Sequence, residues 1–226
     1  MLCCRHAQTE ITQAIRHEVT TMRPWRGLTL PLLLMVLAGF FEEARAEPVT
    51  LHGLTFSDEL GGFTILNGWG SGSLADPITI VEEVTTTTGA VLVIRGLGPE
   101  SGNPIPTAHP AGFVLRKIVI NATNLSWNIY DVELQKVLGT PSDIFDGLSF
   151  GQSSQAGRPF PSDRFGQSAL LEEPSDNLSF FDGLVAPGQT VTITFVVTVT
   201  GPVPEFFILQ RPNRPLAALA GSGSEG

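Results

Sequence analysis

Seven carboxylates crowd one irregular stretch of the chain: Asp143, Asp146, Asp163, Glu172, Glu173, Asp176 and Asp182. Oxygen ligands gathered from loops are the chemistry of calcium, a hard cation that takes roughly six to eight of them. The spacing matches no fixed calcium-loop pattern, so Asp143, Asp146, Asp163, Asp176 and Asp182 stand as candidate ligands of a structural calcium ion, with a solvated acidic rim as the alternative. Paired carboxylates also carry out glycoside hydrolysis when about 5–10 Å apart across a cleft. That separation is a property of the folded loops. Other catalytic chemistry is poorly provided for. Beyond residue 46 the chain has two histidines, His52 and His109, and no cysteine, since Cys3 and Cys4 are the only two. No zinc site, thiol nucleophile or nucleophile elbow is therefore expected.

A second candidate is an aromatic in a glycine-rich setting, Asn67-Gly68-Trp69-Gly70-Ser71-Gly72-Ser73. Such glycine density permits positive φ and forbids a helix. A phosphate-binding loop would need a lysine and a helix N-terminus after it, and neither follows. The expectation is a flexible β-loop capped by a packed Trp69, with Trp69 as the candidate ligand-binding residue. Recognition would fall to the loops around Trp69, Gly96 to Pro110 and Gly151 to Phe165, because a rigid scaffold positions its loops for that purpose. Exposed aromatics there favour a glycan or protein partner. The net charge of −9 disfavours nucleic acid and anionic lipid.

The elements that would hold these residues are strands. After the Pro187-Gly188-Gln189 turn, Val191 to Thr200 alternates strictly, with Val191, Ile193, Phe195, Val197 and Val199 on one face and a threonine-rich set on the other. A period of two in β-branched residues predicts a half-buried strand. Similar runs are Val49 to Phe56, Gly62 to Leu66, Pro77 to Thr85, Ala90 to Ile94, Phe113 to Ile120, Asn128 to Leu138 and Glu205 to Gln210. In Phe113 to Ile120 the adjacent Arg116 and Lys117 must face opposite ways, so one of them needs a carboxylate partner or a route to solvent. In Asn128 to Leu138 the core face is Tyr130, Val132, Leu134 and Leu138, which puts Asp131, Glu133 and Gln135 in solvent. Gly96 to Pro110 reads as a long surface loop. Asp146-Gly-Leu-Ser-Phe150 and its echo Asp176-Asn-Leu-Ser-Phe180 read as two edge strands or hairpin corners of similar design.

About ten short strands separated by Gly, Pro and Asn turns predict an all-β chain, an antiparallel β-sandwich of immunoglobulin-like or jelly-roll-like type. The domain spans 47–215. Residues 1–21 read as an over-long start and 22–46 as a secretory signal peptide, with Arg23 and Arg26, the apolar run Leu28 to Phe41 and the Ala44-Arg45-Ala46 cleavage site. Export to the periplasm or beyond follows, with no transmembrane span in the mature chain and a disordered tail at 216–226. Asn121, Asn124 and Asn177 fit the glycosylation pattern, which Asn-rich turns also meet by chance.

The succession Asn121-Ala-Thr-Asn-Leu-Ser-Trp127, Val132-Glu-Leu134, Asp146-Gly-Leu-Ser-Phe150, Ala186-Pro-Gly-Gln-Thr190 and Phe207-Ile-Leu-Gln-Arg211 resembles the β-sandwich domain of exported bacterial proteins of the PEP-CTERM-sorted class. The resemblance covers roughly residues 113–211 and lacks the class's sorting helix and basic end. It implies a sandwich fold and export, and it brings no catalytic residues. The expected function is a non-enzymatic binding or structural module of the cell envelope; a small carboxylate-dependent glycoside hydrolase and a calcium-stabilised adhesion or matrix domain are the alternatives.

Overall fold

Strict alternation along Thr190–Val199 places five β-branched or aromatic side chains on one face, and every one of them is buried. That strand is an interior member of a two-sheet sandwich in the computed structural model, which describes residues 47–143, 145–151, 156–171 and 176–213. The signal peptide and the tail predicted above lie outside the described residues. Among those described, no helix is long and apolar enough to cross a membrane.

The strands are β1 (Val49–Leu51), β2 (Leu54–Ser57), β3 (Phe63–Trp69), β4 (Ile78–Val84), β5 (Ala90–Leu97) and β6 (Ala111–Asn121). They continue with β7 (Trp127–Gln135), β8 (Leu148–Phe150), β9 (Phe165–Leu171), β10 (Asn177–Val185), β11 (Thr190–Val199) and β12 (Val203–Pro212). One sheet runs β1-β2-β5-β12-β7-β10-β9 and the other β3-β4-β6-β11-β8. All pairings are antiparallel except β4 with β6, which run parallel because β5 crosses to the opposite sheet between them. The inner faces bury the aromatics Phe56, Phe113, Trp127, Tyr130, Phe150, Phe180, Phe195 and Phe206.

Several expectations change in detail. The single first strand is a hairpin, turned at His52 and Gly53 with φ of 48° and 79°. Two successive positive φ values are the signature of the tight type I′ connection. The second strand runs on to Trp69 through a bulge between Ile65 and Asn67. Of the two segments expected as edge strands or hairpin corners, β8 is an edge strand, whereas β10 lies between β7 and β9. Leu138 is exposed in the turn beyond β7, not in the core. Asp131, Glu133 and Gln135 are buried rather than solvated. They sit on the outer face of a strand flanked on both sides, where Arg211 Nη2 donates to Glu133 Oε2 at 2.7 Å and Gln135 Nε2 donates to its Oε1 at 2.6 Å.

The threonine-rich face of β11 is half covered. Thr190, Thr192 and Thr194 are partly exposed, but Val196 and Thr198 are buried. The predicted surface loop between β5 and β6 folds over them: His109 Nδ1 lies 2.9 Å from Thr198 Oγ1, and Gly112 N donates to Gly102 O at 3.2 Å. Asn103 holds this loop, donating to Thr107 Oγ1 and His109 O at 2.6 and 2.8 Å. From the other side, a Cβ on Gly151 would stand 2.6 Å from Val196 Cγ1 and 2.9 Å from Ala156 Cβ, so that backbone also lies flat against the face.

The β6–β7 turn is held by side chains. Asn121 Nδ2 donates to the carbonyls of Leu125 and Val185 at 2.8 and 2.9 Å, its Oδ1 accepts from Thr123, and Trp127 Nε1 donates to Thr123 Oγ1 at 3.1 Å. Asn121 and Asn177 are buried, so within the fold only Asn124 of the three glycosylation-pattern asparagines is exposed. Asn121→Ala removes a donor from the buried Val185 carbonyl and the acceptor of the Thr123 donors, while the Leu125 carbonyl keeps Thr123 Oγ1. A loss of about 2–3 kcal/mol is expected, read as a lowered urea midpoint with an unchanged slope.

Candidate binding face

The bulge in β3 decides where Trp69 points. Before it, Ile65 shares the core face with Glu82; after it, Gly68 pairs with Ile80 and Trp69 with Thr79. Ile78 and Ile80 are core residues, so Thr79 and its partner Trp69 lie on the outer face, where Trp69 is exposed and Thr79 is buried with its hydroxyl donating to Pro77 O at 3.3 Å. The row continues across the sheet, Thr79 to Arg116 and Arg116 to Thr194. Behind it lies a second row of Asn67, Val81, Ile118 and Thr192.

Trp69 is 46% exposed, which corrects the expectation that it packs down as a loop cap. Arg116, Thr194, Ile118 and Thr192 are half-buried. Residues 96–110, Gly151 and Ala156 pack instead over the Val196 and Thr198 end of the face. The face around Trp69 joins one flat aromatic, one guanidinium, a short line of hydroxyls and a floor of β-branched side chains. The loop after Trp69 turns on Gly70, whose φ is +102° and whose missing Cβ would stand 2.0 Å from Pro77 O. Its amides are not a free cradle for phosphate: Ser71, Gly72 and Ser73 all donate to Asp76 O at 2.9–3.2 Å.

The acidic candidates do not converge. Asp143 Oδ1 accepts from Phe145 N at 2.8 Å, Asp146 Oδ1 from Leu148 N at 2.8 Å, and Asp163 Oδ1 from Thr192 N at 2.7 Å. Asp143 and Asp146 thus cap their own turns, whereas Asp163 ties its segment to strand β11. Asp182 takes a positive φ of 63° in the β10 irregularity, 3.5 Å from Gln167 Nε2. Asp176 is buried at the start of β10, its backbone bonded to Ser142 and Leu134. Glu172 and Glu173 lie outside the described residues. Among the described residues, no group of three or more His, Cys, Asp or Glu is arranged to hold a metal ion.

A shallow recess of about 450 Å³ opens beside β9, lined by Arg158, Pro159, Phe160, Ser168, Leu170 and Leu178. Among the described residues that line it, Arg158 is the only ionisable group, and its guanidinium is anchored on the carbonyls of Gly151 and Phe150 and lies 5.8 Å from the Phe160 ring centre.

Sequence reasoning overlooked two constellations. Gly147-Leu148-Ser149-Phe150-Gly151 does match the Gly-x-Ser-x-Gly pattern, but Ser149 sits within strand β8, opposite Thr198 and buried, instead of on a strand-to-helix turn. It is no elbow. The second is sealed between the sheets. Lys117 on β6 and Glu82 on β4 form an ion pair of 2.8 Å, and both are fully buried. From the opposite sheet, Gln210 Oε1 accepts from Lys117 Nζ and, at 2.5 Å, from Tyr130 Oη. Gln210 Nε2 faces Glu82 Oε2 and Tyr130 Oη faces Glu82 Oε1, each at 3.5 Å. The Phe63 ring centre lies 5.9 Å from Nζ. Burial pushes the Glu82 carboxyl up and the Lys117 ammonium down, each against the pull of the other. Burial also raises the Tyr130 phenol, as does the Glu82 charge. The parity was in the sequence: Glu82 continues Ile78 and Ile80, and Gln210 continues Phe206 and Ile208.

No family model, curated protein or solved structure matches the chain.

Proposed function

We propose that this chain is a non-catalytic binding module of an exported protein, and that it binds a glycan on the open half of the five-stranded sheet around Trp69. The observation that carries the reading is that Trp69, Arg116, Thr192 and Thr194 share one flat, partly uncovered face. A sugar ring has an apolar face and a hydroxyl rim. An exposed indole matches the first, and a guanidinium with neighbouring hydroxyls matches the second. A rigid sheet holds them without an ordering cost. Asp143, Asp146 and Asp163, which a hydrolase or a calcium site would need, each accept from a backbone amide instead, which favours binding over either alternative.

Trp69→Ala removes the stacking surface at a half-exposed position, so folding is expected to be intact. The test is a glycan array followed by calorimetry on the best-bound sugar. A loss of about 2 kcal/mol, roughly 30-fold in Kd, is expected. An affinity unchanged by Trp69→Ala and by Arg116→Ala removes this face from the reading.

A further inference from the structure

We propose that Lys117 and Gln210 become joined, Nζ to Cδ, in an intramolecular amide cross-link that staples the two sheets and releases ammonia. The buried network described above has the parts this step needs, in the places it needs them. Lys117 Nζ is in contact with the Gln210 carboxamide. Tyr130 Oη donates to the carboxamide oxygen at 2.5 Å, where negative charge develops as the carbon becomes tetrahedral. The two oxygens of Glu82 face the two nitrogens that exchange places: Oε1 lies 2.8 Å from the attacking Nζ, and Oε2 lies 3.5 Å from the leaving Nε2. All four side chains are fully buried.

The step balances without any other reagent. In the neutral pair Glu82 carries, on Oε2, the proton taken from the Lys117 ammonium. As the amine attacks Gln210 Cδ, Oε2 gives that proton to Nε2 while Oε1 takes one from Nζ, so Glu82 ends protonated as it began. The Cδ–Nε2 bond breaks, ammonia departs, and the carbonyl re-forms as a secondary amide. No atom changes oxidation state. Burial favours the reactive form of each partner, because it drives the Lys117–Glu82 pair from charged towards neutral, and only the neutral amine is nucleophilic. Fixing amine and amide in contact removes the entropic part of the barrier. Exclusion of water removes the competing hydrolysis. Cys3 and Cys4 are the chain's only cysteines, so no disulfide can join β6 to β12, and an amide would supply that covalent tie.

The test is peptide mass spectrometry of the purified, folded full-length chain. The expected result is one branched peptide linking Lys117 to Gln210, lighter than its two parts by one ammonia. Lys117→Arg and Glu82→Gln are expected to return both segments at their sequence masses. Folded wild-type chain yielding predominantly unlinked Lys117 and Gln210 peptides overturns the proposal. So does a link formed with loss of water, which would make Glu82 the acyl donor. Both of these outcomes are measured on the wild-type chain and hold even if a variant fails to fold.

Discussion

Lys117→Met/Glu82→Leu is expected to be more stable than Lys117→Met alone by about 3–5 kcal/mol at neutral pH. Neither chain can form a cross-link through residue 117, so the comparison isolates the buried carboxylate. In the single variant Glu82 stays sealed between the sheets with its ammonium gone, and only Gln210 and Tyr130 remain near it, each at 3.5 Å. A buried carboxylate without its counter-ion must either remain charged in an apolar interior or bind a proton at neutral pH, and both options destabilise the fold. The double variant replaces it with an apolar side chain among Ile78, Ile80, Val84 and Val119, which are all core residues. The pH dependence separates this from a packing effect. Burial raises the folded-state pKa of Glu82 above its ordinary 4.5, so the penalty is absent below that value and grows as pH rises through the folded-state pKa. Urea midpoints of the two variants should therefore converge in acid and diverge towards neutrality. Equal midpoints at all pH values would mean that Glu82 is solvated in the single variant.

What the sequence made legible was the period of two. Val191 to Val199 shows its inward face without ambiguity, and Tyr130, Val132 and Leu134 do the same for β7; the β-sandwich follows from such strands. That one of Arg116 and Lys117 needs a carboxylate or a route to solvent was legible, and the structure makes it Lys117. Its partner was not singled out, because Val81-Glu82-Glu83 reads as a polar strand end unless the parity of Ile78 and Ile80 is carried through it. Features that depend on one residue's displacement were hidden. The bulge after Ile65 reverses the parity of β3 and so sends Trp69 outward rather than inward. The covering of Val196 and Thr198 depends on where two irregular segments come to rest, and no periodicity records that. The acidic stretch misled for a related reason: proximity in sequence suggested a cluster, whereas Asp143, Asp146 and Asp163 are each engaged by a separate backbone amide.

Asp131 is a further place where alternation alone points a polar residue to solvent, and it gives the second large expected effect. It lies on the outer face of β7, opposite Ser179 on β10 and Arg211 on β12. Burial raises its pKa from 3.8 to about 6, with the Glu133 charge adding to the rise and the Ser179 hydroxyl and Arg211 guanidinium opposing it. A carboxyl whose folded-state pKa exceeds its unfolded value holds its proton more tightly in the fold. Its relative stability is therefore fully present below about pH 4 and lost as pH rises through about 6. A shift of about two units corresponds to roughly 3 kcal/mol at most. Asp131→Asn keeps the shape and the Ser179 contact while removing the charge. It is expected to raise stability by about 2–3 kcal/mol at pH 8 and to leave it unchanged near pH 4. Because Arg211 already bonds Glu133, it retains a carboxylate partner in the variant. Chemical denaturation of both chains across that pH range decides the matter: a stability difference that does not grow between pH 4 and pH 8 would show that Arg211 and Ser179 fully compensate the buried charge.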